Sequence, residues 1–256
     1  MKNKKDFTYL CAEYSIQQEG VSDMLFQYDY KFEIPHDIIP DTRFALFQAK
    51  KMLPEYVFDT SQLENNPITF PEVQTLIDGI TIGGHKISDV EQVLNIKNAW
   101  NLMLDLVKTN KFIVSKESFH AINDIIARGE SLEWGRFRTG RVGIAGTKNY
   151  TAPLYQELDE IFDNELTIIL DCNNVVEQAI RLFLWAALNQ FYWDGNKRTA
   201  RLMANGILVN AGYGVFNIKA GDILEFNTLM VDFYETKQAD SMVQFLSQKC
   251  IKYIEK

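Results

Sequence analysis

Cysteine is scarce in this 256-residue chain, which has Cys11, Cys172 and Cys250 alone. An odd number with no C-x-x-C pair excludes a disulfide framework and a cysteine zinc site, and it suits a reducing compartment. Glycine and proline are also few, 14 and 6, which argues against a turn-rich all-β fold. Histidine stands at His36, His85 and His120, and nothing near any of them in sequence resembles a site. No apolar run reaches the roughly 18 residues needed to span a bilayer. The start, Met1–Asp6, is polar and carries no apolar signal core. Together these absences make the cytoplasm the default location and exclude a membrane partner.

What is present is ordinary globular composition, 46% apolar and 23% charged. The length suits one large domain, or a core with an extra lobe. The formal net charge is −8. Such a surface repels a phosphate backbone, so no nucleic-acid partner is expected. The cluster Lys2, Lys4, Lys5 is too short to change this and reads as a solvated start of the chain.

Helical periodicity dominates. Helices are expected at Asp6–Gln18, Arg43–Met52, Asp59–Asn65, Phe70–Asp78, Ser88–Lys108, Ser115–Arg128, Pro153–Asp163, Asn174–Leu188, Thr199–Val209, Ala220–Tyr234 and Gln238–Ile254. Pro54 is expected to end the second of these, and Pro67 the third. Ser88 with Glu91 reads as a capping box. The run FRTGRVGIAG within Arg136–Tyr150 alternates small and branched residues around three glycines, the pattern of a short β-hairpin. The segments VVEQAIRLFLWAAL and TARLMANGILV lack a wide polar face, which points to helices buried at the centre of a domain. The expected fold class is all-α with a short β-hairpin. Its layout is an N-terminal helical lobe over residues 1–87 leaning on a core over 88–256, with no Pro-, Gly- or Ser-rich linker between them.

Between the two buried helices lies Gln190-Phe-Tyr-Trp-Asp-Gly-Asn-Lys-Arg198, followed by Thr-Ala-Arg201. A helix starting in the Asp-Gly-Asn turn points its free N–H groups and positive dipole end into that turn, which suits an anion. Lys197, Arg198 and Arg201 add positive charge there, and the two arginines at i and i+3 share a face. Arginines on a helix made for burial need an anionic partner, and a phosphate suits the forked guanidinium. Asp194 beside bound phosphates is what Mg²⁺ requires. From spacing alone, a capped helix whose arginines pair with internal carboxylates remains equally open.

The run DGNKRTAR resembles the second half of the motif of the Fic (fido) family. GRFRTGRVGIAG with Tyr150 and Pro153 is similar to that family's target-binding flap. NGILVNAGYG, EFNTLMVDFYET and MVQFL are similar to its C-terminal helices, and NNPITFPEVQTLIDGITIGG to the N-terminal part of one subgroup. The resemblance covers roughly Thr60 to Ile251 and implies a mainly helical fido fold with a β-hairpin flap. It implies that Asp194 holds Mg²⁺, that Gly195, Asn196 and Lys197 form the anion hole for the phosphates of ATP, and that Arg198 and Arg201 bind the outer phosphates. The flap, with Val142, Gly143 and Ile144 at its centre, would align an unidentified target protein by adding a strand. The implied reaction is transfer of AMP from ATP to a side-chain hydroxyl of that target. Thr60-Ser61-Gln62-Leu63-Glu64-Asn65 fits the family's inhibitory pattern, which implies that Glu64 pairs with Arg201 and competes with phosphate for it. Whether an exposed face of the lobe mates with a second copy stays open.

The chain departs from the pattern at the catalytic position. Gln190 occupies the place of the family histidine, or Asn189 does if the loop holds an extra residue. An amide takes up no proton near neutral pH, and loss of a positioned base costs about 10²–10⁴-fold in rate. Lys197 replaces a common glycine, as in the related Doc-type phosphotransferases. Four readings follow: an autoinhibited and weakened adenylyltransferase, a pseudoenzyme that binds nucleotide or a partner, a Doc-like phosphotransferase, and a plain helical interaction protein whose motif survives as scaffold.

Overall fold

A computed structural model describes residues 26–255. The helix expected at Asp6–Gln18, the three N-terminal lysines and Cys11 lie outside the described residues. The chain runs through α1 (Thr42–Lys51), α2 (Leu53–Leu63), α3 (Phe70–Ile77), α4 (Ile87–Lys108), α5 (Lys116–Ile126), α6 (Leu158–Leu170), α7 (Val175–Asn189) and α8 (Asn196–Asn210). It ends with β1 (Gly214–Phe216), α9 (Ile223–Thr236), α10 (Asp240–Phe245) and β2 (Ile251–Tyr253). The fold is mainly helical with one small antiparallel pair, β1 with β2. No helix among the described residues is long and apolar enough to cross a membrane.

The two helices that lack a polar face form the centre, as their sequences require. Buried residues run along nearly the whole of α8, and α1, α4, α5, α7 and β1 all pack on it. Asn174 starts α7, its side chain accepting from Val176 N at 3.0 Å and Glu177 N at 3.2 Å. Ser115 caps α5 in the same way, accepting from Ser118 N at 3.3 Å. Below the turn from α7 to α8 lies an aromatic cluster. Trp185 and Phe191 are 4.9 Å apart, Phe137 and Phe191 5.0 Å, and Phe119 and Phe162 5.3 Å. Such pairs add packing energy beyond their buried area and fix the turn from beneath.

Four expectations need correction. α1 ends near Pro54 as expected, but the helix expected at Asp59–Asn65 already starts at Leu53, with Pro54 in its first turn, where a helix has no intrahelical use for the missing N–H. Ser88 lies inside the first turn of α4, which Lys86 precedes without a side-chain cap. The reciprocal contact occurs instead at α3, where Glu72 accepts from Thr69 N at 2.9 Å. Residues 137–146 form no hairpin; they are an extended loop with a turn at 145–146. The expected helix Gln238–Ile254 breaks after α10 into a π-turn at Leu246–Cys250 and then β2. The reason for that break lies on β1. A Cβ on Gly214 would sit 2.0 Å from Lys252 O, so the two backbones meet closely only because this residue is glycine. Residues 251–253 satisfy their backbone groups on that strand instead of continuing the helix.

Candidate phosphate-binding site

The segment joining α7 to α8 is held rigidly by its own polar groups. Gln190 ends α7 in the left-handed region, φ 48° and ψ 58°. Asn196 at the start of α8 reaches back across the turn. Its amide nitrogen donates to Tyr192 O at 2.8 Å and to Gln190 Oε1 at 3.1 Å, and its oxygen accepts from Tyr192 N at 2.8 Å. The Gln190 amide also donates to Ala187 O at 2.7 Å, so both ends of it are engaged inside the protein. Gly195 precedes α8 with φ +73°, and a Cβ there would lie 2.9 Å from Ile126 Cγ2. Only glycine meets both conditions. No side chain caps α8; Asp194 accepts from Gly195 N at 2.5 Å. The N–H groups of the first turn are thus left facing the mouth. Asp194 is exposed and Lys197 partly so.

Arg198 and Arg201 are both buried, at 2% and 5% exposure, yet their surroundings differ. Arg198 is surrounded by carboxylates. Its Nη1 donates to Glu130 at 2.8 and 3.0 Å, its Nη2 to Asp194 at 3.3 Å, and its Nε lies 3.5 Å from Glu64 Oε1. Burial opposes its charge, but Glu64, Glu130 and Asp194 outweigh burial and hold its pKa above the ordinary arginine value. Arg201 has no ion pair of this kind. Burial pushes its pKa down to about 10, with Glu64 opposing that from the other side. Its Nη2 is buried without a hydrogen-bond partner. Glu64 therefore makes its ion pair with Arg198, not with Arg201 as the motif implied, while both arginines feel its charge.

Buried side-chain polar atoms without a partner number three among the described residues: Gln48 Oε1, Trp193 Nε1 and Arg201 Nη2. Two of them are donors on or beside the motif. Orphaned buried donors are costly, and a ligand that accepts hydrogen bonds would relieve them. Trp193 packs at the surface of this turn against Gly140. Tyr192 is core, 1% exposed.

Sequence reasoning missed four residues here. Glu130 stands 68 positions before the arginine it binds. Asn123 on α5 donates to Asp194 O at 3.0 Å and to Thr199 Oγ1 at 3.2 Å, and accepts from Gly135 N at 3.0 Å. A signal for it existed: it is a polar residue on the apolar face of Phe119, Ile122 and Ile126. His120, remote in sequence, places Nδ1 3.0 Å from Tyr192 Oη, and burial, seconded by Lys116, lowers its pKa. Arg138 is 2% exposed and donates to three carbonyls, Gln190 O at 2.6 Å, Gly140 O at 2.7 Å and Pro153 O at 2.7 Å. It ties the root of the 137–150 loop to the turn. Tyr150 fixes the other end, donating to Leu188 O at 2.6 Å, and Glu235 accepts from Lys148 N and Asn149 N. Between these anchors Val142, Gly143 and Ile144 run extended without a ladder partner among the described residues.

A family model described as the Fic/DOC family matches residues 113–208. Among curated relatives, the protein adenylyltransferase Fic of Nematostella vectensis is 24% identical over 77% of this chain and 46% of its own length. The protein adenylyltransferase fic-1 of Caenorhabditis elegans is 27% identical over 62% of this chain and 32% of its own length. The chain thus spans less than half the length of these relatives. A Fic domain containing signaling protein from Bacteroides thetaiotaomicron has the same fold, with TM-score 0.65, 17% identity, and coverage of 81% of this chain and 86% of that one. Fic-1 from C. elegans, residues 134–508, gives TM-score 0.67 at 19% identity, covering 83% and 64%. The matched segment contains α5, the extended loop, α7, the Asp-Gly-Asn turn and all but the last turn of α8. It is over residues 113–208 that this chain matches the Fic/DOC family model.

Proposed function

We propose that this chain is a Fic-type nucleotide-binding protein of the protein adenylyltransferase class, held off by Glu64 and weak or silent in transfer. The observation that carries this reading is the buried, unpartnered Nη2 of Arg201 at the mouth of α8. A phosphate of ATP would satisfy it, and a cation sunk that deeply needs an anion. Relatives named protein adenylyltransferases supply the reaction class. In that reaction the target hydroxyl oxygen attacks the α-phosphorus, the bond to the β-phosphate oxygen breaks, and diphosphate leaves. The hydroxyl proton must go to a base.

Gln190 cannot serve as that base, and both ends of its amide are already bonded. His120 does not stand in, since its contact with the turn is through Tyr192. This favours binding over transfer and makes the pseudoenzyme the second reading. Mg²⁺ arriving with ATP would neutralise phosphate charge. Asp194, an exposed carboxylate just before the first turn of α8, would be its protein ligand. A target protein would dock by strand addition on the extended segment Val142–Ile144, where no strand among the described residues pairs with it and only Ile144 O is taken, by Thr147.

The test uses ATP labelled on the α-phosphate, with Mg²⁺. The Glu64→Gly protein should bind ATP and label itself faintly. The Glu64→Gly, Gln190→His protein should label itself at least about 10²-fold faster, the range expected for restoring a general base. Equal labelling by the two would remove Gln190 as the cause of weak transfer. No nucleotide binding by either would overturn the reading as a whole.

A further inference from the structure

Glu130 belongs to no motif, yet it makes the tightest contact with Arg198. Both of its oxygens take hydrogen bonds from Arg198 Nη1, at 2.8 and 3.0 Å. Gln92 on α4 donates to the same carboxylate at 3.1 Å and holds it there. Ile126 O lies 3.5 Å from Nη1, and Asp194 takes Nη2 at 3.3 Å. Glu64 touches only Nε, and at the longer distance of 3.5 Å. Removing Glu64 therefore releases one edge of Arg198 and leaves the other nitrogens bound.

Charge reinforces the asymmetry. The motif carries three cations, Lys197, Arg198 and Arg201, and three carboxylates, Glu64, Glu130 and Asp194, gather on Arg198. A triphosphate meeting this site finds no surplus positive charge, and to engage Arg198 it must break a two-oxygen, charge-assisted contact that is mostly out of water. Arg201 presents no such obstacle, because its buried Nη2 has no hydrogen-bond partner to give up.

We infer that Glu130 is a specificity-determining residue of the phosphate site. It keeps Arg198 engaged, leaves Arg201 to hold the ligand, and sets the site to grip one phosphate group and not a chain of three. Glu64 covers the site; Glu130 decides how many phosphates are counted once it is uncovered. The inference rests on the nucleotide reading proposed above.

Calorimetric titration with AMP, ADP and ATP in Mg²⁺ tests it. In the Glu64→Gly protein the three nucleotides should bind within about threefold of one another. Adding Glu130→Gln, which keeps the side-chain size and a partner for Gln92, should open a ladder in which ATP exceeds AMP by about tenfold or more, equal to about 1.4 kcal/mol. A second variant guards against a folding defect: Arg198→Lys in the Glu64→Gly background should change ATP affinity by less than about threefold, since that arginine is committed elsewhere. A tenfold preference for ATP over AMP in Glu64→Gly alone, unchanged by Glu130→Gln, overturns the role of Glu130 and leaves nucleotide binding intact. So does a tenfold loss of ATP affinity in the Arg198→Lys protein. Absence of binding for every nucleotide in every variant is a different result and overturns the nucleotide reading together with this one.

Discussion

The root of the extended loop and the mouth of α8 each bury a guanidinium, and they treat it differently. Arg138 donates to three backbone carbonyls within 2.7 Å. Arg201 is left with a bare nitrogen. The first is scaffold: its donors are satisfied, and it joins the 137–153 segment to the turn at Gln190. The second is incomplete without something from outside. A buried cation says little about function until its donors are counted, and the count separates the two sites.

Mutations that exchange these roles would break the comparison. The largest effect is expected at Arg138→Ala, which strands three carbonyls and unties the loop root. Stability should fall by about 3 kcal/mol, read as a Tm drop of roughly 10 °C; an unchanged melt would mean that Arg138 is not structural. Gly195→Ala comes next. A side chain at φ +73° facing Ile126 at 2.9 Å should cost about 2 kcal/mol in denaturant unfolding. Arg201→Met should have the opposite character. Replacing an incompletely paired buried cation with an apolar residue should leave stability within about 1 kcal/mol of the parent or raise it, while a loss like that of Arg138→Ala would erase the contrast. The smallest effect concerns His120, whose pKa in the fold lies below the ordinary 6.5 through burial and then Lys116. The unfolded chain takes up this proton first, so stability is full above pH 6.5 and falls as pH drops through 6.5 toward the lower folded value. His120→Gln should flatten that part of the pH–stability curve, and an identical slope in both proteins would show that His120 does not titrate there.

Much of the centre was legible because it depends on local pattern. The all-round apolar runs of α7 and α8, the start of α7 at Asn174 and the Asp-Gly-Asn turn are all contained within short stretches. The remainder depends on partners far apart in sequence. β1 meets β2 across more than thirty residues, so the periodicity of 238–254 gave no warning that a helix would break there. The run at 137–146 alternates as a strand does, but no strand among the described residues pairs with it; Arg138 fixes its root instead, through its backbone N–H on Phe191 O and its side-chain bonds. The pairing of Glu64 with Arg198 is beyond motif reading, which placed it on the neighbouring arginine. Glu130 carries no local mark at all, because a glutamate after a helix is most often solvated.

The central claim is that Arg201 waits for a phosphate. Its most direct test is the affinity of a non-hydrolysable ATP analogue for the Glu64→Gly protein, with and without Arg201→Met. The account predicts measurable binding that drops by at least about tenfold, or about 1.4 kcal/mol, when the arginine is replaced. Equal affinity in the two proteins would contradict it.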